Sequence, residues 1–282
     1  MRDDIVKKDI NQSSFDAVRF RRNGILSIEH VRPSSPDVLY RRFPVPWITL
    51  VISLGARGSW RNADTNWKRF PAISLRGHGG PWSFGRDEVG TSEYIKILVD
   101  PCRLYSAFGI DAAEVVGATI DVSDIAQLKG IFDVDRLAAI KDDALRVELV
   151  TKALASNLAS RPTMTSQFDI NDLLMESRVT GLATHHEICA RSFRNRIRRL
   201  TGLTPKSWMR VARFAGALRT LHSNTNGCGD TEDLDLYFDQ SHMIHEFRKF
   251  TGTTPSIYQR SKSSGDFRPY MMLEKFPNDF SD

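Results

Sequence analysis

The feature that most restricts the fold of this chain is an internal repeat in its last third. Residues 191–208 read RSFRNRIRRLTGLTPKSW and residues 241–258 read SHMIHEFRKFTGTTPSIY, aligned without a gap at an offset of 50 residues. Each copy holds a basic amphipathic segment, then Thr-Gly-x-Thr-Pro, then an aromatic residue three positions after the proline. Gly202 and Gly252 can take the left-handed conformation that closes a helix. Thr204 and Thr254 then stand where the next helix needs a cap. Pro205 and Pro255 occupy its first position, where a missing N–H costs nothing. The repeat predicts helix, sharp turn, helix, twice over.

At 100° per residue, Phe193, Ile197 and Leu200 fall on one face of the first basic helix, and Arg191, Arg194, Asn195 and Arg198 on the other. In the second copy Met243, Phe247 and Phe250 form the apolar face, while Ser241, His245 and Arg248 point away. The two exposed sets occupy equivalent positions. Forked guanidinium donors and an amide suit base edges in a major groove, where Arg reads guanine and Asn reads adenine. Between residues 188 and 229 there is no Asp or Glu, against Arg191, Arg194, Arg196, Arg198, Arg199, Lys206, Arg210, Arg213 and Arg219. Such a segment attracts phosphates. The net charge of +5 points the same way, though its distribution says more than its size. One basic helix alone is more often a solvated face; two copies in a matched frame favour a binding surface.

The rest of the chain divides by pattern. Residues 1–24 are polar and basic. Residues 47–54 and 94–99 have the β-branched and alternating character of strands, with turn clusters at 55–58 and 77–82. From 121 onward Leu137, Ile140, Leu145, Leu149, Leu154 and Leu158 recur at helical spacing, with a break near Asp142. Residues 161–166, which include Arg161, Pro162 and Thr163, form a linker. Residues 207–221 carry Trp208, Val211, Phe214, Ala215, Leu218 and Leu221 as one face of a connecting helix, and short positioning helices are expected at 179–185 and 230–236. The fold class is α+β with two domains: a β-rich, sensor-like N-terminal domain (25–160, with trailing helices) and an all-α C-terminal domain (167–262) with two helix-turn-helix units joined by a long helix. A tail, 263–282, follows.

Other chemistry finds little support. Cys102, Cys189 and Cys228 are odd in number and widely spaced, which fits neither a disulfide framework nor a zinc pattern. A reducing, cytoplasmic setting is expected, because no signal peptide or spanning segment is found. His185, His186 and Cys189 could suggest a metal, but Cys189 better suits a helix N-cap. His78 lies in a Gly-His-Gly-Gly turn without the His-x-His pair and carboxylate of a β-barrel metalloenzyme. Cys102 reads as a buried thiol. Trp47, Trp60, Trp67 and Trp82 serve either a core or a ligand pocket. No catalytic residue, metal or cofactor is expected.

These residues resemble the AraC/XylS family of transcription regulators. Residues 237–260, YFDQSHMIHEFRKFTGTTPSIYQR, carry the resemblance most closely, and residues 179–221 more loosely. It implies two helix-turn-helix units entering successive major grooves of double-stranded DNA, about 34–36 Å apart. It implies base-facing roles for Arg191, Arg194 and Asn195 in the first unit, and for Gln240, Ser241, Ile244 and His245 in the second. Arg198, Arg199, Arg248 and Lys249 become phosphate contacts. A small-molecule effector, a homodimer and RNA polymerase are the further partners it implies. The sequence departs from the family at Asn195 and His245, where Arg is usual, and at Glu187 and Leu236, where turn glycines are usual. Asp233 and Asp235 stand where a positioning helix is usually apolar. Two rival readings follow: a degenerate regulator acting through protein contacts, and a β-barrel enzyme with a DNA-targeting tail.

Overall fold

In the computed structural model the described residues are 17–18, 25–32, 39–62, 65–80, 82–86, 92–126, 128–159, 189–223, 240–264 and 268–269. The expected linker at 161–166, both positioning helices, Glu187 and Leu236 lie outside them.

The N-terminal part holds two sheets. The larger is antiparallel and includes β1 (Ala17–Val18), β2 (Ile25–Val31), β4 (Ile48–Ser53), β7 (Ile73–Arg76), β9 (Tyr94–Val99) and β10 (Thr119–Asp121), in the order β1-β2-β9-β4-β7-β10. At its centre Leu50 stands opposite Ile97 on one side and Leu75 on the other. The smaller sheet includes β3 (Leu39–Arg42), β5 (Ser59–Arg61), β6 (Lys68–Arg69), β8 (Ser83–Arg86) and β11 (Arg268–Pro269), in the order β11-β3-β8-β5-β6. Residues from the expected terminal segments therefore join each sheet, β1 against β2 and β11 parallel to β3.

Period-two alternation decides what each face of the larger sheet meets. Ile48, Leu50, Ile52, Leu75, Ile95, Ile97 and Val99 belong to one core with residues of four helices, or next to them: α1 (Leu104–Phe108), α2 (Ala112–Val115), α3 (Val134–Ala139) and α4 (Asp143–Ala159). The expected helical break falls between α3 and α4, where the Asp142 carboxylate accepts from the N–H of Leu145. The alternate residues, Glu29, Thr49, Ser74, Arg76 and Lys96, are polar yet buried. Arg76 lies 4.0 Å from the Phe70 ring centre, and Lys96 Nζ is 2.6 Å from the Glu29 carboxylate on the neighbouring strand.

The C-terminal part is helical: α5 (Ala190–Thr201), α6 (Pro205–Ser223), α7 (Gln240–Thr251) and α8 (Pro255–Ser264). Among the described residues no helix is long and apolar enough to cross a membrane. The two parts share a second core. Phe43, Val45, Trp47, Leu98 and Cys102 pack with Phe193, Trp208, Phe214, Leu218, Phe247 and Tyr258. Phe43 meets Phe214 edge-on at 6.2 Å and Tyr258 at 5.9 Å, distances at which aromatic pairs attract. Trp47 and Cys102 are thus core residues. Trp67, by contrast, is among the exposed large apolar side chains.

Candidate nucleic-acid interface

The repeated sequence folds into a repeated structure. Gly202 ends α5 at φ 69° and Gly252 ends α7 at φ 73°. Their N–H groups donate to the carbonyls of Arg198 and Arg248, each at 2.8 Å. Thr204 Oγ1 then accepts from the Ser207 N–H at 3.2 Å, and Thr254 Oγ1 from the Ile257 N–H at 3.4 Å, capping α6 and α8. A further matched pair escaped the sequence reading. Thr201 Oγ1 donates to the Ile197 carbonyl and accepts from the Leu203 N–H, and Thr251 Oγ1 does the same with Phe247 and Thr253. Both threonines are fully buried. The signal was present, since Thr precedes Gly in both copies.

Burial follows the expected faces. Phe193, Ile197, Phe247 and Phe250 are buried. Arg191, Arg194, Asn195, Arg198 and Arg199 are exposed on α5, and Gln240, Ser241, His245, Arg248 and Lys249 on α7. Ile244 is also exposed. Met243, expected in the apolar face, is half-buried. The structure thus groups the candidate residues into two stripes, one on each basic helix.

Cys189 holds the N-cap position of α5 in an extended conformation, but its side chain makes no capping bond. Its exposed thiol lies 3.2 Å from the Ser192 hydroxyl. That hydrogen bond, with backbone N–H groups of Ser192 and Arg191 and the charge of Arg194, holds the thiol below its ordinary pKa.

Both turns are seated on the β-rich part. A Cβ added at Gly202 would lie 2.7 Å from Ala113 Cα and 2.8 Å from the Ala112 carbonyl oxygen, so α5 ends hard against α2. A Cβ at Gly252 would lie 2.7 Å from the Trp82 ring. His78, expected only as part of a glycine-rich turn, is fully buried with Nε2 at 2.5 Å from the Thr201 carbonyl oxygen. Nε2–H is therefore the donor, and Nδ1 has no hydrogen-bond partner among the described residues. Burial pushes the His78 pKa down to about 4, against the raising effect of the Thr201 hydrogen bond.

A second cluster lies in the N-terminal part. His30, Glu93 and Asp143 bring three potential metal-ligating atoms within 4.8 Å of one another. Their carboxylates are already engaged by guanidinium groups. Arg32 reaches Asp143 at 2.5 Å and Glu93 at 2.8 Å, and Arg146 hydrogen-bonds to Glu93. The Arg32 hydrogen bond holds Asp143 below the usual carboxylate range. Burial would raise Glu93, but His30, Arg146 and Arg32 together bring it lower. A cation entering here would have to displace two arginines, so the cluster reads as an ion-pair clip joining α4 to β2.

Residues 182–261 match the family model described as a helix-turn-helix domain. The chain carries an AraC-type helix-turn-helix domain. The match covers α5 to α7 and most of α8, and so takes in both copies of the repeat. Over 180 residues the chain is 22% identical to the HTH-type transcriptional activator RhaR of Pectobacterium atrosepticum. That alignment takes in 64% of this chain and 56% of the relative, little more than half of the relative's length. Among solved structures, ToxT from Vibrio cholerae aligns with a TM-score of 0.44 at 10% identity, over 88% of this chain and 98% of that one. Unsaturated fatty acid bound wild-type ToxT aligns with a TM-score of 0.43 at 9% identity, over 89% and 97%. The AraC-like transcriptional activator CuxR aligns at 0.28 and 12% identity, over 82% and 90%.

Proposed function

We propose that this chain is a sequence-specific DNA-binding transcription regulator whose two helix-turn-helix units read successive major grooves. The observation that carries the reading is the paired geometry: two helices of one design, each closed by the same Thr-Gly turn, each with its polar stripe exposed. Arg191, Arg194 and Asn195 on α5, and Gln240, Ser241, Ile244 and His245 on α7, are the base-facing set. Arg198, Arg199, Arg248 and Lys249 hold phosphates. Binding is the whole mechanism, with no catalytic step. The divisions at residues 25, 161, 167 and 263, a cytoplasmic location, a homodimer and contact with RNA polymerase belong to the same proposal.

The β-rich part would sense a small molecule. Its support is the set of buried polar residues on the larger sheet: Arg76, Lys96, Glu29, Thr49 and Ser74. Lys96 and Arg76 are the buried cations that would meet an acidic effector; ToxT has been solved with an unsaturated fatty acid bound. The deciding experiment is selection of random duplexes on the purified protein at near-physiological salt. Enrichment of two half-sites about one helical turn apart is the expected outcome. Binding without sequence preference that vanishes as salt rises would favour the rival reading, an interaction module, which Asn195 and His245 in place of Arg already suggest.

A further inference from the structure

Helices α6 and α7 enclose a cleft that the repeat does not explain. Its volume is about 400 Å³, and its walls are Lys206, Arg210 and Arg213 from α6 with His242, His245 and Glu246 from α7. Positions 206, 210 and 213 lie on one stripe of α6. Glu246 is buried at 2% exposure. Its Oε1 accepts from Arg210 Nε, and its Oε2 lies 3.8 Å from Arg213 without a hydrogen bond among the described residues. Arg210 also lies 5.4 Å from the centre of the Phe250 ring, which fixes its guanidinium plane. A guanidinium has five N–H donors, and Glu246 uses only the Nε–H of Arg210. Lys206 is exposed in the first turn of α6, with no ion pair among the described residues. Among the lining residues, three are cationic side chains and one is a carboxylate.

We propose that this cleft is a phosphate-binding site. Its mixed Lys, Arg and imidazole donors suit a tetrahedral oxyanion, and the Glu246 carboxylate that faces it is offset by Arg210 and Arg213. The source favoured by position is a backbone phosphate of duplex DNA. His245 lies both on the polar stripe of α7 and in the cleft wall, so a duplex on that stripe brings its backbone to the opening. This choice of source rests on the DNA-binding reading; the phosphate chemistry itself does not.

The test uses Lys206→Gln in the full chain. Removing a cation from the first turn of a helix relieves an unfavourable dipole interaction, so the fold is not expected to suffer. Lys152→Gln, at an exposed cation on α4, controls for overall charge. Fluorescence anisotropy on one duplex at several salt concentrations should show the slope of log K against log salt falling by about 0.9 in Lys206→Gln, and affinity about eightfold weaker at 0.1 M salt than wild type. The control should follow wild type. A second arm measures thermal protection by pyrophosphate at constant ionic strength. Protection of wild type that Lys206→Gln loses, with no change in the DNA slope, would keep the phosphate site and overturn the DNA backbone as its source. Unchanged slope together with equal protection of both proteins would overturn the site. A wild-type protein that binds no duplex would instead refute the DNA-binding reading, and the pyrophosphate arm would still decide the cleft.

Discussion

His78 ties the stability of the join between the two parts of the chain to pH. The folded protein keeps the ring neutral, with a pKa of about 4 against an ordinary value of 6.5. Because the folded value is the lower one, the unfolded chain binds this proton first as pH falls. Stability from this group is therefore complete above pH 6.5 and is lost on acidification, until the folded ring also protonates near pH 4. Each pH unit inside that window costs about 1.4 kcal/mol, so going from pH 7 to pH 5 removes about 2 kcal/mol through His78 alone. The perturbation that isolates it is His78→Gln, whose amide can still donate to the Thr201 carbonyl but does not titrate. Denaturant unfolding of both proteins at pH 7, 6 and 5, followed by tryptophan fluorescence, gives the two stability profiles. The carboxylates of the ion-pair clip have ordinary values of 4.5 and 3.8 and fall further in the fold, so they act mainly below pH 5, and they are common to both proteins and cancel in the difference. Wild type is expected to lose about 2 kcal/mol more than the variant between pH 7 and pH 5. Parallel profiles would refute the buried neutral imidazole.

The turn glycines give a second expectation. Gly202→Ala and Gly252→Ala each place a Cβ at positive φ, which costs about 1–2 kcal/mol before any contact is counted. Gly202→Ala should be the worse in thermal unfolding, because its Cβ meets the backbone of α2, whereas Gly252→Ala meets the Trp82 side chain. Arg146→Met leaves Glu93 and Asp143 with one guanidinium fewer and is expected to destabilise by about 3 kcal/mol in urea titration; a change below 0.5 kcal/mol would mean the clip contributes little. On DNA, Arg191→Ala and Arg194→Ala should each reduce discrimination at one half-site by about 1–3 kcal/mol in competition binding. Arg198→Ala should weaken all sequences alike and flatten the salt slope by about one unit.

What the sequence could disclose depended on how far apart the interacting residues lie. The repeat was legible because each of its rules is local: a glycine after the last turn, a threonine cap, a proline at the first helical position. Burial of Phe193 and Ile197 beneath exposed Arg194 and Arg198 followed from 100° per residue alone. The seat of each turn was hidden, because Gly202 meets Ala112 and Ala113 from about ninety positions away, and hydrophobic period carries no such information. The segment Gly77-His78-Gly79-Gly80 shows the difference well. It was legible as a turn, and Gly79 does take positive φ. Gly77 and Gly80 serve another end: a Cβ at Gly77 would overlap the Val115 carbonyl oxygen at 1.3 Å, and one at Gly80 would lie 2.3 Å from Gly117 Cα. Their smallness lets the loop press against the end of α2, so that His78 reaches Thr201.

The cleft between α6 and α7 left a trace that the aligned repeat contained. Arg196 in the first copy corresponds to Glu246 in the second, a charge reversal within an otherwise basic frame. A solvated helix face gives no reason for one acid to replace a base at that position. Packing does, because Glu246 is buried against Arg210, while Arg196 is only half-buried. The reversal therefore marks where the two copies stop being equivalent. Among the described residues, Glu246 meets the cationic stripe of α6 through this position, and its buried carboxylate offsets the charge of Arg210 and Arg213.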